Sequence, residues 1–138
     1  MNLNSFQNDY NFGKAAEIES LPIIIKYFND DSIYHTPQQF NPFDFIGTNE
    51  VFDIKTRRNT YNKYSTTLLK TYHLDKKPID KDLIFLFKFT DGLYYIKYDK
   101  NIFDTFDNQN IVRGERNGII DVKELHIMIP INLLVKIC

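Results

Sequence analysis

Apolar and polar positions alternate along residues 43–46 (FDFI) and 51–55 (VFDIK), which flank the turn-forming Gly47-Thr48-Asn49. β-branched and aromatic residues at period two, interrupted by turn formers, predict two short strands joined as a hairpin. Upstream, from Phe12, the residues Ala15, Ile18, Leu21, Ile25 and Phe28 recur at helical spacing, with Asp9 or Asn11 available as a cap. Pro22 falls inside that pattern, where it removes a backbone hydrogen bond and clashes with the preceding turn at about 3 kcal/mol. A kink is therefore expected, or a break with Ser20 capping a second helical piece. Residues 1–11 are polar and read as a loose lead-in. Residues 29–32 form a turn by composition, and 33–36 a first strand ended by Pro37. Pro42 suits the start of the next strand.

Beyond Arg58 the pattern turns polar and Thr-rich, and residues 66–74, capped by Ser65, are expected to be helical. Residues 76–82 are a charged connector. Residues 83–89 (LIFLFKF) are apolar on both faces, as a covered central strand should be. With 93–98 they predict a hairpin turning at Asp91-Gly92, the second strand lying nearer an edge. A helical turn is expected over 101–106 and a loop over 108–118 with Arg113, Glu115 and Arg116 exposed. Residues 119–129 return to β character, and Pro130 fits the first turn of a closing helix over 131–137. The size prior makes residues 1–138 one domain without repeats.

Two carboxylates and a lysine on apolar strands stand out, because such groups are seldom buried unless paired or bound to metal. Register decides whether they meet. With a turn at Thr48-Asn49, or a four-residue loop 47–50, Asp44 lies opposite Asp53 and Lys55 follows on the same face. Phe43, Phe45, Phe52 and Ile54 then share the other face. A three-residue loop would separate the acids. Two carboxylates side by side repel each other and call for a cation; oxygen ligands of this kind suit magnesium or manganese, held together with water and a substrate phosphate. Lys55 would then act on the attacking water or on charge growing at the phosphate.

Pro42, Asp44, Asp53 and Lys55, with Phe43 inserted after the proline, resemble the signature of the PD-(D/E)XK nucleases. Gly13-Lys14-Ala15-Ala16-Glu17 is similar to the Gly-x-x-x-Glu helix of the Holliday-junction-resolvase branch. The resemblance covers the first half of the chain; the second half matches only in element order. It implies an α/β, restriction-endonuclease-like three-layer fold, a mixed central sheet flanked by helices. It also implies a metal-dependent DNA endonuclease using Mg2+ or Mn2+, with Asp44, Asp53, Lys55 and Glu17 as catalytic residues. Asp44, Asp53, the carbonyl of Ile54 and, through water, Glu17 would hold the metal. Junction resolution would require a homodimer presenting two centres.

Arg57 shares the face of Asp53 and Lys55 and is the expected phosphate contact, while Arg58 and Lys63 extend a basic patch toward DNA. In the nucleases that this sequence resembles, a helix after the Asp-x-Lys strand carries substrate contacts, and the resemblance implies such a role for Lys63, Tyr64 and Lys70. His35, His73 and His126 show no metal spacing and read as packing or surface. The formal net charge of −1 argues mildly against unspecific nucleic-acid binding. One cysteine, Cys138, excludes an internal disulfide and points to an intracellular setting. No apolar run or leader pattern suggests a membrane partner or export. Gly-rich phosphate loops, Cys-x-x-Cys zinc pairs and dinucleotide fingerprints are absent from the sequence. Two further readings stay open: a non-catalytic nucleic-acid-binding or assembly protein on a nuclease-like scaffold, and a restriction- or repair-type endonuclease.

Overall fold

The computed structural model describes residues 3–37, 41–111, 115–116, 119–120 and 124–138. The chain begins with helix α1 (Leu3–Phe28), which starts well before the expected position and continues through Pro22. Pro22 lies on the exposed side, so water can satisfy the carbonyl that its ring leaves without a donor, while buried Ile24 anchors the next turn. Ser20 is accordingly buried inside the helix and caps nothing new. The inward stripe also differs from expectation, being Ala16, Ser20 and Ile24, with Ile18 turned to solvent. That rotation carries Glu17 toward the protein, where it is half-buried.

Asn29 ends α1 in the left-handed conformation, φ 51°, and the Asp30 N–H closes back onto the Ile25 carbonyl at 3.1 Å. The Asp30 carboxylate then accepts from the Ser32 hydroxyl at 2.6 Å and from the N–H groups of Ser32 and Thr48 at 2.9 and 2.8 Å. These bonds hold its pKa below the usual value and pin the end of the helix to the next turn. A Cβ on Gly47 would come within 2.8 Å of both Asp30 and Ile33, so glycine is required for that close approach.

Strands β1 (Tyr34–His35), β2 (Phe45–Ile46) and β3 (Glu50–Thr56) follow. Next comes β4 (Thr66–Lys70), a strand where a helix was expected. Its β-branched threonines and the inward alternation of Thr67 and Leu69 outweigh the Ser65 capping signal. A 3₁₀ turn over Thr71–Lys76 leads on to β5 (Asp82–Phe89) and β6 (Gly92–Lys97). Phe89 pairs with Gly92, so Thr90-Asp91 forms the two-residue turn, one position earlier than expected. The short helix α2 (Lys100–Phe103) is capped by the Asp99 side chain, which accepts from the Asn101 N–H at 2.9 Å. The remaining strands are β7 (Asn108–Ile111), β8 (Glu115–Arg116), β9 (Ile119–Ile120), β10 (Glu124–Pro130) and β11 (Val135–Lys136). Part of the expected 108–118 loop is thus stranded, and Arg113 lies outside the described residues. The expected closing helix is instead a 3₁₀ turn, Ile131–Leu133, followed by β11, whose Ile137 neighbour donates its N–H to Leu93. A free sheet edge at β6 recruits the last residues into the ladder.

The main sheet has the order β1-β2-β3-β5-β6-β11, with β3 parallel to β5 and the other pairs antiparallel. Strand β5 is the covered central strand that its sequence predicts. On one face α1 covers Phe45, Phe52, Ile54, Ile84 and Leu86. On the other, Val51, Leu83, Phe85, Phe87 and Phe89 meet Leu69 of β4, Ile127 and Ile129 of β10, and Phe103 of α2. Each such fully buried side chain contributes roughly 1.5–3 kcal/mol through the hydrophobic effect. The protein is therefore mixed α/β with a mixed sheet, but its second face is covered mainly by the antiparallel sheet β4-β10-β7, where helices were expected. Phe43 belongs to this second core and not with Phe45, Phe52 and Ile54. Among the described residues no helix is long and apolar enough to cross a membrane.

Candidate active site

The hairpin takes the register that brings the two acids together. Ile46 pairs with Val51 and Phe45 with Phe52, and the Gly47 N–H donates to the Glu50 carbonyl at 2.8 Å, which leaves the loop 47–50. The Asp44 N–H also donates to the Phe52 carbonyl, at 2.8 Å. Asp44 and Phe45 thus stand together against one residue, the arrangement of a β-bulge, which re-aims side chains at the end of a ladder. Thr36 holds the bulge from the other side, donating its N–H to the Asp44 carbonyl at 2.9 Å and its hydroxyl to the Phe43 carbonyl at 2.6 Å.

The Asp44 carboxyl takes the bond that a longer β2 would have made, with Oδ2 accepting from the Ile54 N–H at 2.8 Å. In an extended strand the N–H and C=O of one residue leave by the same edge. The Ile54 carbonyl is therefore on the Asp44 side of β3. The Asp44 and Asp53 carboxyls lie close enough for each to act on the other's ionisation. Burial first, and then the Asp53 charge, push the Asp44 pKa up to about 7, with Glu17 adding to the effect. Burial also raises Asp53, but His73, Lys55 and the Asp44 proton outweigh it and hold Asp53 down at about 2. Below about pH 7 the pair therefore holds one proton between two carboxylates, and it gives that proton up as pH rises through neutrality.

Lys55 lies two residues along β3, its Nζ 3.3 Å from Asp53 Oδ1. The fourth member of the group is His73, which sequence reading missed. Two parallel strands need a crossover, and here β4 and its 3₁₀ turn run across the face of the sheet between β3 and β5. The turn lays His73, 7 % exposed, over Asp53 with Nδ1 3.1 Å from Oδ2. The contact acts by proximity, because Nδ1 has no aligned hydrogen bond. Nothing in the local sequence could reveal this pairing, since it depends on β4 being a strand.

On the helix side Glu17 is 2.6 Å from His35 Nε2 of β1 and 3.7 Å from Lys14 Nζ. His35 is a second partner that residue spacing did not disclose. Glu17 contributes charge at Asp44, but its carboxylate is occupied by His35. Arg57 and Arg58, just past the end of β3, point to opposite sides, one over Phe87 and the other over Phe12. The Arg57 guanidinium is bound into β4, through Thr67 Oγ1 at 3.2 Å and the Leu68 carbonyl, and lies over the Phe87 ring. Burial lowers its pKa. Its geometry is that of a tie between the two sheets, so the expected phosphate contact would need it to share or leave these bonds. Arg58 lies over Phe12 of α1, 4.1 Å from the ring centre, and Lys63 beside Tyr64.

A cavity of about 630 Å³ opens beside the acids, bordered by Lys55, Arg57, Lys70, Tyr64, Tyr72 and His73. Lys55 and His73 each touch Asp53 and line this space, so they stand between the carboxylates and the opening.

The donor set fits a hard divalent cation. Asp53 is buried and Asp44 half-buried, burial and the neighbouring like charge raise the Asp44 pKa, and the Ile54 carbonyl lies on the same edge. Among the described residues, no three His, Cys, Asp or Glu side chains converge closely enough to cage a metal alone. Two carboxylates and one carbonyl, completed by water and phosphate, are what magnesium ordinarily accepts. Comparisons with protein-family models, curated proteins and solved structures found no match.

Proposed function

We propose that this chain is a nuclease of the PD-(D/E)XK type that hydrolyses DNA phosphodiester bonds with magnesium or manganese at Asp44 and Asp53. The observation that carries this reading is the half-buried Asp44 carboxyl just before β2, held to the Ile54 N–H at 2.8 Å beside the buried Asp53 of β3, with Lys55 3.3 Å from Asp53. Neighbouring strands that bear a bulged aspartate and an Asp-x-Lys segment, beside a helix with an inward glutamate, also support a restriction-endonuclease-like reading of the main sheet. Its second sheet is then a departure from the three-layer helical form.

Asp44, Asp53 and the Ile54 carbonyl would hold the ion, with Glu17 acting through water once its bond to His35 is shared. When bound, the ion supplies Lewis-acid activation of water and neutralises charge on the phosphate. Lys55 orients the water or donates to a phosphoryl oxygen, and Asp53 holds its ammonium in place. His73 keeps Asp53 ionised and limits the rotation of its carboxyl. Cutting a four-way junction would take a homodimer with two such centres.

The test is incubation with linear duplex, single-stranded and four-way-junction DNA in Mg2+ or Mn2+. Cleavage of at least one substrate is expected, and both Asp53→Ala and Lys55→Met should abolish it. Intact substrates in every arm, together with no manganese binding by the folded protein, would overturn the catalytic reading in favour of a binding or assembly role.

A further inference from the structure

We propose that the cavity beside Asp53 is a binding site for an unpaired DNA strand, which makes single-stranded or frayed DNA the preferred substrate class; this rests on the nuclease reading above. The first support is charge. Lys55, Arg57 and Lys70 line the cavity and, among the described residues, no Asp or Glu does, although the whole chain is at net −1. Lys70 is paired with Glu124 at 2.9 Å and Lys55 with Asp53 at 3.3 Å, which holds both ammonium groups in place at the cavity wall. A phosphate backbone is the complementary partner for such a wall.

The second support is the exposed aromatics. Tyr64 and Tyr72 border the cavity and are 58 % and 53 % exposed, whereas most aromatic rings of the two cores are buried. The Tyr72 ring rests on His73, centroids 4.2 Å apart, with Lys76 Nζ 5.0 Å from its centre, and Lys63 Nζ lies 5.5 Å from the Tyr64 ring. Cations beside exposed rings form a stacking platform for bases, the arrangement that recognises single strands without reading their sequence. Paired bases in a duplex are stacked on each other and turn no face outward.

The third support is shape. A concave space of about 630 Å³ is in the range of a small-ligand pocket and accepts a nucleotide, not a continuous duplex. Gln109 and His126, next to Lys70 across the second sheet, also line it and offer polar groups to a base edge. A strand stacked on Tyr72 lies against Lys55 and His73, both in contact with Asp53, so its backbone runs beside the carboxylate pair.

The experiment measures binding apart from cutting, by fluorescence anisotropy in EDTA with labelled oligothymidylate and a hairpin duplex of equal length. Oligothymidylate should bind at least about tenfold more tightly than the duplex. The Tyr64→Ala/Tyr72→Ala variant should weaken oligothymidylate binding by about tenfold or more, while Tyr64→Phe/Tyr72→Phe retains it. Both rings are exposed, so the alanine variant should melt with the parent protein. Equal affinity for the duplex, or unchanged oligothymidylate binding in the alanine variant, would overturn the inference. Cleavage, scored separately, distinguishes the two proposals. Tight, strand-selective oligothymidylate binding with no cutting in Mg2+ or Mn2+ would overturn the nuclease reading alone, whereas cutting with equal affinity for strand and duplex would overturn this inference alone.

Discussion

The two faces of β3 are enclosed in opposite ways. Phe52 and Ile54 face α1 within a cluster of Ile24, Ile33, Phe45, Ile84 and Leu86, with no ionisable group in its buried set among the described residues. One residue out of phase, Asp53 and Lys55 face the second sheet, where Asp53 is enclosed by Asp44, His73 and Lys55. A seven-residue strand thus builds a hydrophobic face and a charged face from alternate positions. The first face is explained by stability alone. The second carries a penalty in the absence of a cation, since like carboxylates are placed together away from water, and it is this penalty that the proposed cation would relieve.

The sharpest way to break the comparison is on the apolar face. Phe52→Ala removes a fully buried ring and should destabilise the protein by about 3–5 kcal/mol. Urea denaturation measures it; a cost similar to that of an exposed substitution would mean that the helix side is not the anchor.

On the charged face the sign reverses. Below its unfolded pKa of 3.8, Asp44 is protonated in both states and costs nothing. As pH rises toward about 7 the folded state retains a proton that the unfolded chain has released, so this contribution to stability falls and then levels off. Asp53 behaves oppositely: its contribution is present above 3.8 and lost as pH drops toward about 2. Asp44→Asn keeps the shape and donates permanently to Asp53. It should match the parent near pH 4, gain on it steadily as pH rises, and exceed it by a few kcal/mol above pH 7, because each pH unit separating the folded from the unfolded pKa is worth about 1.4 kcal/mol. Melting curves between pH 4 and 8 check this, and parallel curves for the two proteins would contradict it.

Smaller effects compare the adjacent arginines. Arg57→Ala strips the Leu68 carbonyl and Thr67 hydroxyl of their donor and should cost about 1–3 kcal/mol. Arg58→Ala removes a contact with the Phe12 ring and should cost about 0.5–1 kcal/mol. Equal costs, read from chemical denaturation of both variants, would remove the asymmetry between the faces.

Much of this arrangement was legible in the sequence because it is local. Period-two alternation located the β2 and β3 region and the central strand β5, and Gly47 located the turn that sets their register. The bulge at Asp44 was not legible, since it depends on Thr36 holding the strand from outside. Residues 66–74 and 131–137 were misread as helices because their partners, β10 and β6, are distant in sequence and decided the outcome. His73 reaches Asp53 only because β4 is a strand ending above it. His35 reaches Glu17 only because α1 turns Ala16 and Ser20 inward. Arg57 shows the complementary failure: its face was read correctly, but its partners lie on a second sheet that the sequence did not disclose.

The most direct measurement is isothermal titration of manganese into the metal-free protein near pH 7, repeated in two buffers of different ionisation heat. One ion per chain is expected, with a heat that depends on the buffer because the proton held by the Asp44–Asp53 pair is released, and Asp53→Ala should show no binding. Undiminished binding by folded Asp53→Ala, or none by the parent protein, would contradict the account.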